Sequence, residues 1–127
     1  MTDLVIGLAL LATTLGSGAL VYIGLLGLLG KLRPNRWAGI RTSFTHASEE
    51  NWYDTHKAAG PVFVFGGIFA AAVSLAFVPF ALAGKLNLVV GVAVLVLVAT
   101  VILLTALLGL YAGTSFAAAR ATAGDKQ

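Results

Sequence analysis

The chain has 127 residues, of which 59% are hydrophobic and only 10% are charged, with a formal net charge of +3. A soluble domain usually has about a quarter of its residues charged, so this composition excludes an ordinary soluble protein, and it also excludes a disordered chain. The chain contains no cysteine, which excludes disulfides, thiolate metal ligands and a cysteine nucleophile.

Three long segments without a charged residue predict the membrane-crossing elements. They contain 27, 27 and 34 residues and run from Leu4 to Gly30, from Ala58 to Gly84 and from Leu86 to Ala119. About 20 apolar residues are enough for a helix to cross roughly 30 Å of hydrocarbon. We therefore predict an all-α membrane protein, a single domain over residues 1–127, with a bundle of three transmembrane helices near 4–30, 60–83 and 87–113.

The first segment is predicted to be a retained helix and not a signal peptide. Asp3 is the only charged residue before it, whereas a signal peptide begins with positive residues. Its apolar run is also about twice as long as the apolar region of a usual signal peptide. Within the three segments no ionisable side chain lies mid-span, which argues against a pump or a coupled transporter.

The polar residues are concentrated in a loop at 31–59, which holds eight of the 13 charges, both histidines and both tryptophans. Ser48 is suited to cap a helix, and the two glutamates that follow it favour the helix dipole. We therefore expect a structured loop with a short interfacial helix from Ser48 to about Ala59. Pro61 would then begin the next helix or interrupt a continuous one.

Four residues of this predicted helix form one stripe. Glu49, Trp52, His56 and Gly60 are spaced by three, four and four residues, so at about 100° per residue they share a face. We expect this face to point inward, with the loop folded onto the ends of the transmembrane helices.

Lysine and arginine are distributed unevenly between the connections. Five lie in the loop, Arg120 and Lys126 lie in the C-terminal tail, and Lys85 alone separates the second and third spans. Three spans place the loop and the tail on the same side, and the excess of positive charge assigns that side to the cytoplasm. This predicts a multi-pass protein with its N-terminus outside and its C-terminus in the cytoplasm.

The loop carries a motif with a known likeness. PNRWAGIRTSFT followed by SEENWYDTHKAAG resembles the signature of the SdpI family, small bacterial membrane proteins named for immunity to a secreted toxic peptide. The matching residues are Pro34, Asn35, Gly39, Ile40, Arg41, Thr42, Thr45, Glu49, Trp52, His56 and Gly60. The resemblance implies a non-enzymatic protein of the bacterial inner membrane, which protects against a membrane-active peptide or binds a regulatory protein through its cytoplasmic loop.

Four interpretations of the loop residues are open. They seal the loop onto the bundle, recognise a toxin or protein partner, bind anionic lipid, or form a catalytic or metal site. The last is disfavoured because the two histidines are ten residues apart and no HExxH-type spacing occurs, so we predict no catalytic residue, metal or cofactor. The candidate partner surface comprises Asn35, Arg36, Gly39, Arg41, Thr42, Thr45, Glu49, Trp52, His56 and Gly60, and the candidates for contact with lipid or an acidic partner are Lys31, Arg33 and Arg36.

Three further kinds of partner can be considered: nucleic acid, a second copy of the chain and a larger membrane assembly. Nucleic-acid binding is not expected, because the basic residues are interleaved with acids and no recognition motif is present. Gly109 and Gly113 form a small-xxx-small pair, which is typical of packing within a bundle and otherwise of a homodimer. The alternative function is a small accessory subunit, or an anionic-lipid-binding protein, of a larger membrane assembly.

Overall fold

The computed structural model describes residues 2–125, and its four elements are all helices: α1 (Thr2–Leu28), α2 (Ser43–Ala47), α3 (Glu49–Leu82) and α4 (Leu88–Asp125). Three of them, α1, α3 and α4, are long and apolar enough to cross a membrane. The prediction of an all-α chain with three transmembrane helices is therefore confirmed. Lys126, which contributes to the predicted charge of the tail, lies outside the described residues.

The helix bounds differ from the prediction around the loop. The segment from Glu49, expected to form a short interfacial helix, continues through Pro61 into the second span as one helix of 34 residues. A continuous helix was one of the two alternatives for Pro61. A short helix does occur, but earlier, as α2. At 1.5 Å per residue α3 and the 38-residue α4 measure about 51 and 57 Å, which exceeds the roughly 30 Å of hydrocarbon. Both helices therefore project beyond the membrane.

Residues 29–48, which we call the cap loop, lie at the end of the bundle where α3 begins. The charged start of α3, up to Lys57, projects from the membrane at this end, and the membrane-crossing part of α3 begins in the uncharged segment from Ala58. At the opposite end, the turn between α3 and α4 lies beside the start of α1. A Cβ atom on Gly84 in that turn would be 3.5 Å from a carboxylate oxygen of Asp3.

α1 and α3 approach each other backbone to backbone near the cap loop. A Cβ on Gly60 would lie 2.7 Å from the carbonyl oxygen of Gly24, and a Cβ on Gly27 would lie 2.7 Å from the carbonyl oxygen of His56. Further along the same interface the hydroxyls of Thr13 and Ser74 share a 2.9 Å hydrogen bond. Small residues permit such close packing of membrane helices, and hydroxyl pairs link them.

α4 packs on a neighbouring face of α3, also through glycines. Gly109 faces the ring of Phe63, and a Cβ on Gly113 would lie 2.6 Å from the carbonyl oxygen of Thr55. The small-xxx-small pair thus serves packing within the chain, which is the first of its two predicted uses.

Candidate functional site

Trp52 is the largest fully buried side chain of the described residues and lies at the centre of the candidate site. Its Nε1–H donates a 2.8 Å hydrogen bond to the carbonyl oxygen of Leu32, near the start of the cap loop. Its ring stacks at a tilt on that of His56, with 4.3 Å between centroids. Trp52 therefore fixes the beginning of the cap loop and packs against one face of the His56 ring.

His56 holds the middle of the cap loop. Its Nε2 accepts a 2.8 Å hydrogen bond from the backbone N–H of Ile40, and its Nδ1 lies 2.7 Å from the carbonyl oxygen of Trp52. Because an amide N–H only donates and a carbonyl only accepts, Nδ1 carries the hydrogen and the ring is neutral. Burial lowers the pKa of His56 from its ordinary value of 6.5, and the hydrogen bond to Trp52 opposes this to a smaller extent.

Gly39 makes this arrangement sterically feasible. Its φ of +110° lies in a region that residues with a Cβ atom rarely adopt. A Cβ there would also lie 2.6 Å from Nε2 of His56 and 3.3 Å from the ring of Trp52. Both the backbone conformation and the lack of space therefore require glycine.

Asn35 shapes the part of the cap loop that precedes Gly39. Its Oδ1 accepts hydrogen bonds from the backbone N–H groups of Trp37 (2.9 Å) and Ala38 (2.7 Å), and its Nδ2 donates to the carbonyl oxygen of Arg33 at 2.8 Å. An asparagine that bonds to the backbone two and three residues away stabilises a turn. The turn at this position is thus built by the asparagine side chain.

The two threonines of the motif cap α2. Thr42 is the N-cap residue, and it exchanges hydrogen bonds with Thr45 in a capping box. The hydroxyl of Ser48 accepts a 3.0 Å hydrogen bond from the backbone N–H of Asn51, which confirms Ser48 as the cap of a helix. The side chain of Asn51 in turn donates to the carbonyl oxygen of Phe44 at 2.9 Å and thereby joins α2 to α3.

Apart from Gly60, which is buried against α1, the other predicted site residues lie on the surface. Among them, Glu49 was expected to share the inward face of α3 with Trp52 and His56, and that prediction is wrong because Glu49 is exposed. It is the first residue of α3 and precedes the turn that the cap loop covers. The basic side chains of Lys31, Arg33, Arg36 and Arg41 are also exposed. Of these, Arg41 donates from Nη1 to the carbonyl oxygen of Arg36.

The structure also shows an ion pair and a cavity that the loop motif does not predict. Arg120 on the projecting part of α4 lies 3.3 Å from Asp54 of α3 and is itself largely exposed. These two residues line a cavity of about 200 Å³ with Glu50, Asn51, Ala121 and Gly124. The sequence does not predict this contact. The uncharged segment before Arg120 is longer than a membrane span, and its pattern does not show where the helix ends. Within residues 2–125 no three His, Asp or Glu side chains come together as a metal site.

We expect acidification to loosen the cap loop. The pKa of His56 is lowered in the folded protein, so the unfolded chain binds more protons as the pH falls through 6.5. The stabilisation is thus fully present above that value and is lost as the pH falls below it, when a protonated Nε2 would face the N–H of Ile40. The measurement is hydrogen exchange at the Ile40 amide, corrected for the intrinsic rate, in a His46→Gln variant that retains only this histidine. Protection that does not change down to about pH 5 would contradict the assignment.

Comparison with known proteins agrees with this architecture. A family model described as the SdpI/YfhL protein family matches residues 31–112, which is more than half of the chain. The match includes most of the cap loop, all of α3 and the greater part of α4. No curated protein and no solved structure matches the chain. The chain, with its cap loop on a bundle of three transmembrane helices, therefore belongs to the SdpI/YfhL protein family.

Proposed function

We propose that this protein is a non-enzymatic immunity or signalling protein, which protects against a membrane-active peptide or binds a regulatory protein through its cap loop. The observation that carries the proposal is the division of the loop motif into two sets. Gly39, Trp52 and His56 are packed or hydrogen-bonded against each other, whereas the basic side chains nearby are exposed on the surface. The SdpI/YfhL family is not a known enzyme family.

The buried set suits the role of a support. A recognition surface gains affinity when it is held in its bound shape before the partner arrives, because less ordering is then needed on binding. The Trp52 and His56 hydrogen bonds reach the loop at two separate points, Leu32 and Ile40. The surface between these points is therefore held in one conformation.

The exposed set suits an acidic or anionic partner. Lys31, Arg33, Arg36 and Arg41 are all exposed, and the sequence contains no acidic residue between Leu4 and Ser48. Guanidinium groups bind carboxylates and phosphates in paired hydrogen bonds. We place this surface in the cytoplasm and the N-terminus outside a bacterial inner membrane, as the distribution of positive charge favours.

Immunity is tested by deleting the gene and challenging the cells with a panel of membrane-active peptides. We expect greater sensitivity to at least one peptide, restored by the wild-type gene but not by an Arg33→Gln/Arg36→Gln variant. Lys85→Gln, an exposed cation at the opposite end of the bundle, is the matched control and should restore resistance. Unchanged sensitivity of the deletion strain across the panel would count against immunity.

A small accessory subunit of a larger assembly is the second candidate. The surface available to it is α4, which packs on α3 and α1 along one stripe and leaves large side chains exposed, among them Leu103, Leu104 and Leu107. Lipid covers these side chains in a lone chain, and a neighbouring membrane protein would cover them in an assembly. Purification in a gentle detergent separates the two candidates. A stoichiometric co-purifying membrane protein would favour the accessory role.

A further inference from the structure

The tip of the cap loop, residues 36–41, returns toward the membrane after leaving α1. Ile40 is buried in one cluster with Ala59 and Phe63, and Leu20 of α1 packs against that cluster. Phe63 also faces Gly109 of α4. Ile40 thus reaches the region where all three transmembrane helices meet, about two to three turns deeper along α3 than the level of Trp52.

Two exposed tyrosines mark the surface of the membrane at this depth. Tyr22 is 64% exposed and lies next to Gly24, which contacts Gly60 and Phe63. Tyr111 is 72% exposed and lies between Gly109 and Gly113, which contact the same part of α3. Tyrosine and tryptophan side chains are enriched where hydrocarbon meets water. Along α1 the distance from Asp3 to Tyr22 is about 29 Å at 1.5 Å per residue, close to one hydrocarbon thickness.

The loop tip carries an exposed aromatic ring and two exposed cations. Trp37 is 87% exposed, more than any other large hydrophobic side chain of the described residues. Arg36 and Arg41 are exposed on either side of it, and the hydrogen bond from Arg41 to the carbonyl oxygen of Arg36 closes the tip. An exposed tryptophan with two nearby arginines combines the features that suit a surface of phosphates.

We propose that the loop tip binds the headgroups of anionic phospholipids, with the Trp37 ring in the interface and the guanidinium groups of Arg36 and Arg41 on phosphate oxygens. This contact goes beyond the immunity role and does not depend on it. Buried Ile40 fixes the depth of the tip, so the ring and the two cations meet the lipid surface together. The chemistry selects anionic over zwitterionic lipid through net charge, since a phosphate is present in both.

The test uses the full chain in nanodiscs of phosphatidylcholine with increasing fractions of bromine-labelled phosphatidylglycerol or bromine-labelled phosphatidylcholine. Bromine quenches nearby tryptophan fluorescence, and a Trp37→Phe variant, which retains only the buried Trp52, supplies the background. We expect half-maximal quenching of Trp37 at a markedly lower fraction of labelled phosphatidylglycerol than of labelled phosphatidylcholine. Arg36→Gln should reduce this preference about fivefold, which corresponds to one cation near an anionic surface.

Arg36→Gln is suitable because the fold uses only the main-chain carbonyl of this residue. Its thermal unfolding midpoint should match the wild type, which shows that the loop tip is intact. Lys85→Gln removes one exposed cation at the other end of the bundle and should leave the preference unchanged. Equal quenching by the two labelled lipids in the wild type, or an undiminished preference in Arg36→Gln, would overturn the proposal. A failed immunity assay would leave this result unaffected.

Discussion

Replacing Gly39 by alanine is expected to destabilise the folded protein by about 2–4 kcal/mol and to release the cap loop from α3. The residue has a φ of +110°, and the added methyl group would lie 2.6 Å from Nε2 of His56. Neither problem is relieved without moving the chain, because Trp52 and His56 are fully packed behind the loop. Thermal unfolding in detergent measures the loss, and hydrogen exchange at Ile40 measures the release.

The matched control is Gly18→Ala. Gly18 lies inside α1 with open space around its Cα, so a methyl group there meets nothing. Alanine has the higher helix propensity, and the variant should therefore be as stable as the wild type or slightly more stable. If the Gly39→Ala and Gly18→Ala variants have the same unfolding midpoint, the cap loop is not held against Trp52 and His56 as described.

Replacing Trp52 by alanine is expected to cost about 3–5 kcal/mol of stability, the usual range for deleting a buried tryptophan. The side chain has no exposed surface, and its removal would leave a cavity beside His56 as well as an unpaired carbonyl at Leu32. The measurement is the unfolding midpoint in detergent, with the exposure of the cap loop followed by proteolysis.

Two further variants separate packing from hydrogen bonding at this position. Trp52→Phe retains most of the ring but removes the Nε1–H donor, so it should cost only about 1–2 kcal/mol. Trp37→Ala removes the other tryptophan, which is 87% exposed, and should change the stability by less than about 0.5 kcal/mol. Equal effects of Trp52→Ala and Trp37→Ala would contradict the central place given to Trp52.

The transmembrane part of the fold could be predicted because lipid imposes a simple rule on the sequence. A helix that crosses hydrocarbon excludes charge over its whole length, so the gaps in the charge pattern show the number of spans. The ends of the helices are not governed by that rule. Outside the membrane α3 and α4 continue as helices, α4 even where residues 118–124 are exposed, and Arg120 reaches Asp54 although the sequence shows no sign of that contact.

The candidate site could be predicted in composition but not in arrangement. The spacing of Trp52, His56 and Gly60 correctly indicates a shared buried face, because helical periodicity is local. The exposure of Glu49 could not be read in this way, since it depends on how far the cap loop extends over α3. Likewise the partner of His56 is the backbone of Ile40, and any residue type except proline supplies such a donor.

His56 contacts the loop and the bundle with different parts of the same residue. Its ring binds Ile40, while its main-chain carbonyl lies where Gly27 of α1 makes room for it. We expect a shift of α1 along α3 to disturb the hydrogen bond from the Ile40 amide to the imidazole. We also expect release of the cap loop to weaken the contact between His56 and Gly27. We therefore expect the cap loop and the contact between α1 and α3 to open as one cooperative unit.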